Sequence, residues 1–361
     1  MEANVDFYGQ GGVQGEVAAY AAQNGGRLDP GAMRPWIGKD GKTYITIYQS
    51  GDPKEAKSYA TVPIQTNGTL RPLEWRQLDE AILEISRYRL GGVDDLISAG
   101  LTHNIGNGMG STVLEYHDSS DSMEAQTTMD GVSRGSGDRP TFGTGYLPLP
   151  ITHVDYEINA RVLAASRSLG NSLDTTSVQH AARKVKEKIE KMLFTDISYA
   201  FGGGTIYSYI NHPDANAVTL PLAWDNGSKT GALILADVLD MKQSSINAYH
   251  YGPWQIYIPT AYETVLDGDY DATTPGTTIR ERILKIDGIK GIKVVDTLPA
   301  NTVLMVQMTP DVVRLVQGMP LQNVEWQTEG KFITKYKVMT IQVPQIRSDK
   351  DGNSGIIILS A

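Results

Sequence analysis

Apolar residues recur at helical spacing most clearly in DTTSVQHAARKVKEKIEKMLF, residues 174–194. Val178, Ala181, Ala182, Val185, Ile189, Met192 and Leu193 form one stripe, the pattern of an amphipathic helix. Arg183, Lys184, Lys186, Glu187, Lys188, Glu190 and Lys191 fall opposite and read as a solvated face, with Glu187–Lys191 as a favourable i,i+4 pair. The alternative is that this face meets a neighbour. Asp174 or Thr175 is placed to cap the helix. Trp75, Leu78, Ile82 and Ile85 predict another helix, with Pro72 in its first turn and Gly91–Gly92 as its stop. A short helix over Val93–Ala99, ended by Gly100, follows.

From residue 205 onward the two periods alternate. Helices are predicted at 230–247, 260–267 and 277–286, and strands at 254–258, 291–296, 302–308, 321–328, 331–346 and 354–360. The closing stretch, 286–361, is strand-length apolar runs broken by Gly, Pro and Asp, without a histidine. Such a stretch reads as a scaffold or contact surface. Two regions lack this order. Residues 1–70 hold scattered glycines, Pro30, Pro35, Pro53 and Pro63, and one alternating strand at Thr43–Gln49, so they read as an extended arm. Residues 102–170 carry glycine-rich segments at 106–111 and 131–145, with strand-like runs at Ser111–Tyr116 and Tyr146–Arg161. Pro148 and Pro150 confine the second run to an edge or ribbon. A long two-stranded projection is marginal alone in water, so it implies a partner surface, most simply on another subunit. The fold class is α+β: a compact body with two extensions.

Composition narrows the function. With 361 residues, 40% hydrophobic, the chain can bury a sizeable core. The absence of cysteine excludes disulfides and thiol chemistry. A net charge of −9 argues against coating nucleic acid by neutralising phosphates. No apolar run is long enough for a membrane span, and the N-terminus lacks the basic and apolar regions of a signal peptide.

Candidate chemistry is weak throughout. The histidines His103, His117, His153, His180, His212 and His250 show no metal-ligand spacing. HDSSD at 117–121 and NHPD at 211–214 read as turns. GNGMG at 106–110 follows a helix and precedes a strand, the reverse of a dinucleotide loop. FGGGT at 201–205 lacks the lysine of a phosphate loop. DKDGNSG at 349–355 lacks the ligand spacing of a calcium loop and reads as a hairpin turn. No catalytic, cofactor-binding or metal-binding residue is nominated.

Several segments in order carry a resemblance: the Trp75–Asp79 helix, YLPLPITHVDYEINAR, LDTTSVQHAARKVKEKIEKMLF, GPWQIYIP at 252–259, TIRERILKIDGIKGIKVVDTL at 278–298, and 302–361. Together they resemble major capsid proteins of tailed bacteriophages with the Hong Kong 97-type fold, in the branch related to encapsulins. The resemblance implies an N-terminal arm at 1–70, joining helices at 71–110 and an extended loop at 111–165. It implies a peripheral domain from 166–225 and 319–361, with the spine helix at 176–194, and an axial domain at 226–318. It implies no enzyme activity, and self-assembly through pentamers and hexamers into an icosahedral head around double-stranded DNA. Non-specific DNA contact, portal and scaffolding proteins, a possible decoration protein, no membrane, and a virion location after assembly in the host bacterial cytoplasm belong to the same expectation. Encapsulin-like compartment shells are the alternative, and an α/β enzyme with an unseen site is the third reading. The loop 111–165 contains no lysine, so no isopeptide crosslink is expected from it. Its cations, Arg134, Arg139 and Arg161, are expected to meet acids such as Asp79, Glu80 or Glu187 of a neighbour.

Overall fold

The computed structural model describes residues 34–48, 59–64, 70–85, 91–119, 127, 129, 142–169, 175–195, 197–271, 276–329 and 332–360. Within the arm, β1 (Trp36–Ile37), β2 (Thr43–Tyr48) and β3 (Tyr59–Ile64) form a three-stranded sheet. Only β2 is legible from alternation. Pro63 is tolerated because β3 is an edge strand.

Helices α1 (Pro72–Ile85) and α2 (Gly91–Ser98) follow. Gly91 and Gly92 open α2, which corrects their reading as the stop of the preceding helix. Then come β4 (Thr102–Asn104), β5 (Val113–Ser119), β6 (Phe142–Pro148), β7 (Thr152–Asn159) and α3 (Ala160–Leu169). The single strand expected over 146–161 is therefore two, in different sheets, followed by a helix. Pro148 and Pro150 supply no N–H, so the ladder breaks between them. Asn159 then accepts the Arg161 N–H at 2.8 Å and turns the chain into α3.

Helix α4 (Thr176–Phe194) is the long amphipathic helix expected, although Thr175 makes no side-chain cap. After it lie β8 (Tyr199–Phe201), β9 (Gly204–Ile206), β10 (Asn216–Thr219) and α5 (Gly231–Asn247). Thr230 caps α5 by accepting from the Leu233 N–H at 3.4 Å. The chain continues through β11 (Trp254–Ile258), α6 (Glu263–Leu266), α7 (Ile279–Leu284), β12 (Ile289–Val294) and β13 (Thr302–Gln307). It closes with β14 (Val313–Glu329), β15 (Ile333–Ile346) and β16 (Ile356–Ser360). Strand β14 starts well before the expected 321, because Gly318 and Pro320 hide it. The ladder accommodates them with register shifts between Gln317 and Gln322.

Two sheets make the body, in the orders β4-β14-β15-β7 and β10-β16-β13-β11-β12. Alternate residues of each strand enter different cores. In the five-stranded sheet, Val303, Met305, Ile357 and Leu359 face a core with α5 and α7. Leu304, Val306, Ile356 and Ile358 face a second core, which they share with the α4 stripe and with Leu315, Tyr336 and Val338 of the four-stranded sheet. The far face of that sheet, Val316, Met319, Met339, Ile341 and Val343, makes a third core. The layers thus run core, sheet, shared core, sheet, core. Strand β16, grouped from sequence with 319–346, crosses into the five-stranded sheet between β10 and β13. Its successive buried residues need apolar cover on both faces, which a central strand of that sheet receives.

Candidate functional site

The first feature is the root of the two-stranded ribbon. β5 and β6 pair from Val113–Pro148 out to Ser119–Phe142. Leu147 and Leu149 are buried in the third core, and the Leu149 N–H donates to the Thr112 carbonyl at 2.9 Å. The short β8–β9 hairpin lies against β6 so closely that a Cβ on Gly204 would sit 1.9 Å from the Tyr146 carbonyl oxygen. Phe142, Tyr146, Tyr199 and Phe201 stay exposed around this root. FGGGT is thus a hairpin that clamps the ribbon. GNGMG is likewise a packing device: a Cβ on Gly108 would meet the Gly318 backbone at 2.3 Å.

The second feature anchors the arm. The Arg34 guanidinium donates to both oxygens of Asp79, at 2.8 and 2.7 Å, and lies 5.0 Å from the Trp75 ring centroid. The Trp75 indole N–H donates to the Pro35 carbonyl at 3.1 Å, and the Ile37 N–H to the Leu70 carbonyl at 3.0 Å. The arm is therefore tied to its own body at residues 34–37.

The charged face of α4 is only partly solvated. Glu190, expected on that face, is buried and accepts from the N–H groups of Gly92 and Val93 at 3.0 and 3.3 Å. Burial raises its pKa, against the pull of those two N–H groups, and Asp94 and Asp95 push it the same way. Lys186 is half-buried, and desolvation lowers its pKa. Glu187 pairs with Arg183 at 2.7 Å and Lys184 at 2.8 Å, in place of the expected Lys191. Asp95 of α2 in turn accepts from the Tyr257 hydroxyl at 3.0 Å and pairs with Lys293. Helix α2 thus bridges α4 to the five-stranded sheet. This joint was not legible from periodicity; the only hint was Glu190 standing beside the apolar stripe at Ile189.

The expected contact residues are distributed as follows. Arg134 and Arg139 lie outside the described residues, and Arg161 is exposed in the first turn of α3. The three acids proposed for them already hold cations of their own chain: Asp79 with Arg34, Glu80 with Arg76 at 3.0 Å, and Glu187 as above. NHPD is a turn in which the Asp214 N–H donates to His212 Nδ1 at 3.3 Å. In DKDGNSG, Asp349 accepts from the Asp351 and Asn353 N–H groups at 3.0 and 2.7 Å, closing a tight turn. HDSSD begins in β5 and its end lies outside the described residues. Among the described residues no group of three or more His, Asp or Glu could hold a metal ion, and no helix is long and apolar enough to cross a membrane.

Solved structures share this architecture. A virus-like particle from Pyrococcus furiosus matches with a TM-score of 0.57 at 19% identity, over 79% of this chain and 99% of that one. The capsid of Myoviridae phage XM1 matches with a TM-score of 0.56 at 8% identity, over 73% and 90%. The capsid of an empty GTA particle matches with a TM-score of 0.51 at 12% identity, over 74% and 89%. At these identities the likeness establishes the fold, which is the Hong Kong 97-type capsid fold. A search of curated proteins gives no match. The model of a family of unknown function, DUF6260, matches residues 66–359, and the chain belongs to that family.

Proposed function

We propose that this chain is a major capsid protein that self-assembles into an icosahedral shell enclosing double-stranded DNA. The observation that carries this reading is a Hong Kong 97-type body from which a clamped ribbon and a tied arm project. A ribbon of this kind gains stability by lying on another subunit. Heterologous contacts close into rings when the rotation between subunits is fixed, here into pentamers and hexamers. A subunit that engages several neighbours at once needs no single strong contact. Ribbon and arm together should bury more than ~1,000 Å² between subunits, the scale of a specific interface.

In this reading the five-stranded sheet with α5 and α7 is the axial domain. The four-stranded sheet with the spine helix α4 is the peripheral domain. The ribbon is the extended loop, and the segment before α1 is the arm. DNA contact is non-specific, as suits an acidic chain. Portal, scaffolding and decoration proteins are further partners, the shell belongs to the virion, and no chemistry is assigned to it. The likeness to the Pyrococcus furiosus particle favours a second reading, a compartment shell. Electron microscopy of the purified protein tests both. Uniform closed particles are expected, and a monomer under all conditions would sink the shell reading. Nucleic acid inside particles from the native source favours the capsid, and a protein cargo the compartment.

A further inference from the structure

We propose that Arg314, Arg347, His103 and Gln345 form a pocket on the four-stranded sheet that receives a carboxylate of a second copy of this chain. The proposal rests on the shell reading and names one of its contacts. Arg314 on β14 lies opposite Gln345 on β15, and its Nε donates to the Gln345 side-chain oxygen at 2.6 Å. That bond settles which end of the amide is which. Gln345 is 1% exposed, and its Nε2 is a buried donor without a hydrogen-bond partner among the described residues. Native interiors rarely leave such a donor unmet, because its desolvation is then uncompensated.

The neighbours of this donor are cations. Arg347 stands two residues beyond Gln345, where its Nη2 donates to the His117 carbonyl at 3.5 Å. His103 lies on β4, which runs beside β14 with His103 opposite Val316. Burial, and then the charge of Arg347, disfavour the cationic form of Arg314. Burial, and then the charge of Arg314, do the same to His103. No carboxylate is among the charges acting on either group. Half-buried cations that repel one another, gathered around a spare amide donor, are arranged to accept an oxyanion.

A carboxylate fits this set, since a guanidinium fork and an amide N–H present parallel donors to a planar pair of oxygens. The chain carries 41 Asp and Glu against 32 Lys and Arg, so a second copy offers carboxylates in excess. The same surplus repels a polyphosphate approaching the surrounding surface, which favours a protein acid over nucleic acid.

The test uses the full chain. Gln345→Glu places an internal carboxylate beside Arg314 and fills the pocket from within. Its thermal midpoint should equal or exceed that of the wild type. The protein concentration needed for particles should rise about tenfold, the equivalent of one charge-assisted hydrogen bond. The double variant Arg314→Gln, Arg347→Gln should show the same assembly defect while remaining a folded monomer. Light scattering and electron microscopy read assembly, and retention of duplex DNA is followed in parallel. Particles forming at wild-type concentrations in both variants overturn the proposal. So does normal assembly with lost DNA retention, which assigns the pocket to phosphate. A wild type that never forms particles removes the shell reading itself, and the pocket's occupant with it.

Discussion

Glu190 shows how a single residue can look like solvent-facing charge and act as a fastener. Its carboxylate meets two N–H groups at the start of α2, groups that a helix leaves without internal partners. Glu190→Ala should strand both in a buried site and cost about 2 kcal/mol or more of unfolding free energy, measured by denaturant titration. Glu190→Gln keeps an acceptor and removes the buried charge, so at neutral pH it should be as stable as the wild type or more so. The pH dependence follows from the raised pKa. Above the ordinary value of 4.5 the folded chain holds a proton that the unfolded chain has released. Glu190 therefore stabilises the fold at low pH, and that contribution fades as pH rises through the raised pKa. Thermal midpoints taken upward from about pH 4.5 should fall more for the wild type than for Glu190→Gln. Parallel curves would show that Glu190 does not titrate in this window.

Among the elements, ribbon and arm are each held by a small, nameable contact. Gly204→Ala drives a methyl into the Tyr146 carbonyl, so the hairpin must move away from the ribbon. The α4 core lies on the other face of the four-stranded sheet, so thermal stability should fall by no more than about 1–3 kcal/mol, the range for overpacking. Particle yield should fall much further. Equal loss of both would mean that the root is merely part of the core. For the arm, Arg34→Ala removes a bidentate pair with Asp79 and a stack on Trp75. Limited proteolysis should then cut the arm faster while the body survives. Unchanged arm cleavage would show that Trp75 to Pro35 and Ile37 to Leu70 suffice. The periodic elements α4, α5, β11 and β15 were legible because each buries one face, or both, with an unbroken pattern. The elements β1, β3, β4 and β10 were not, being too short to show a period. Strand β14 was masked by Gly318 and Pro320, and α3 by the strand-like run before it.

For the whole molecule, the expected product is a particle held without covalent bonds from the ribbon. The span 111–165 has no lysine, so mature particles boiled in denaturant should run as a single band near 39.3 kDa. A ladder of multiples would show that another lysine reaches a neighbour. The joint of α2, Asp95, Lys293 and Tyr257 ties the two sheets through one shared core, so thermal unfolding of the monomer should be a single transition. Two transitions would show that the sheets melt apart.

The sequence by itself determined the α+β class, the long helix, the two poorly covered extensions and the lack of a catalytic constellation. These follow from periodicity and composition, which act over a few turns of chain. It also carried the resemblance to shell-forming proteins, through the order of its segments. Only the tertiary structure decided that β16 leaves its sequence neighbours for the other sheet and that Glu190 is buried. It alone revealed that Asp79, Glu80 and Glu187 hold cations of their own chain, and that Arg314 and Gln345 meet across two strands. Each depends on contacts between residues far apart in sequence, where pairing is chosen by which surfaces can cover one another.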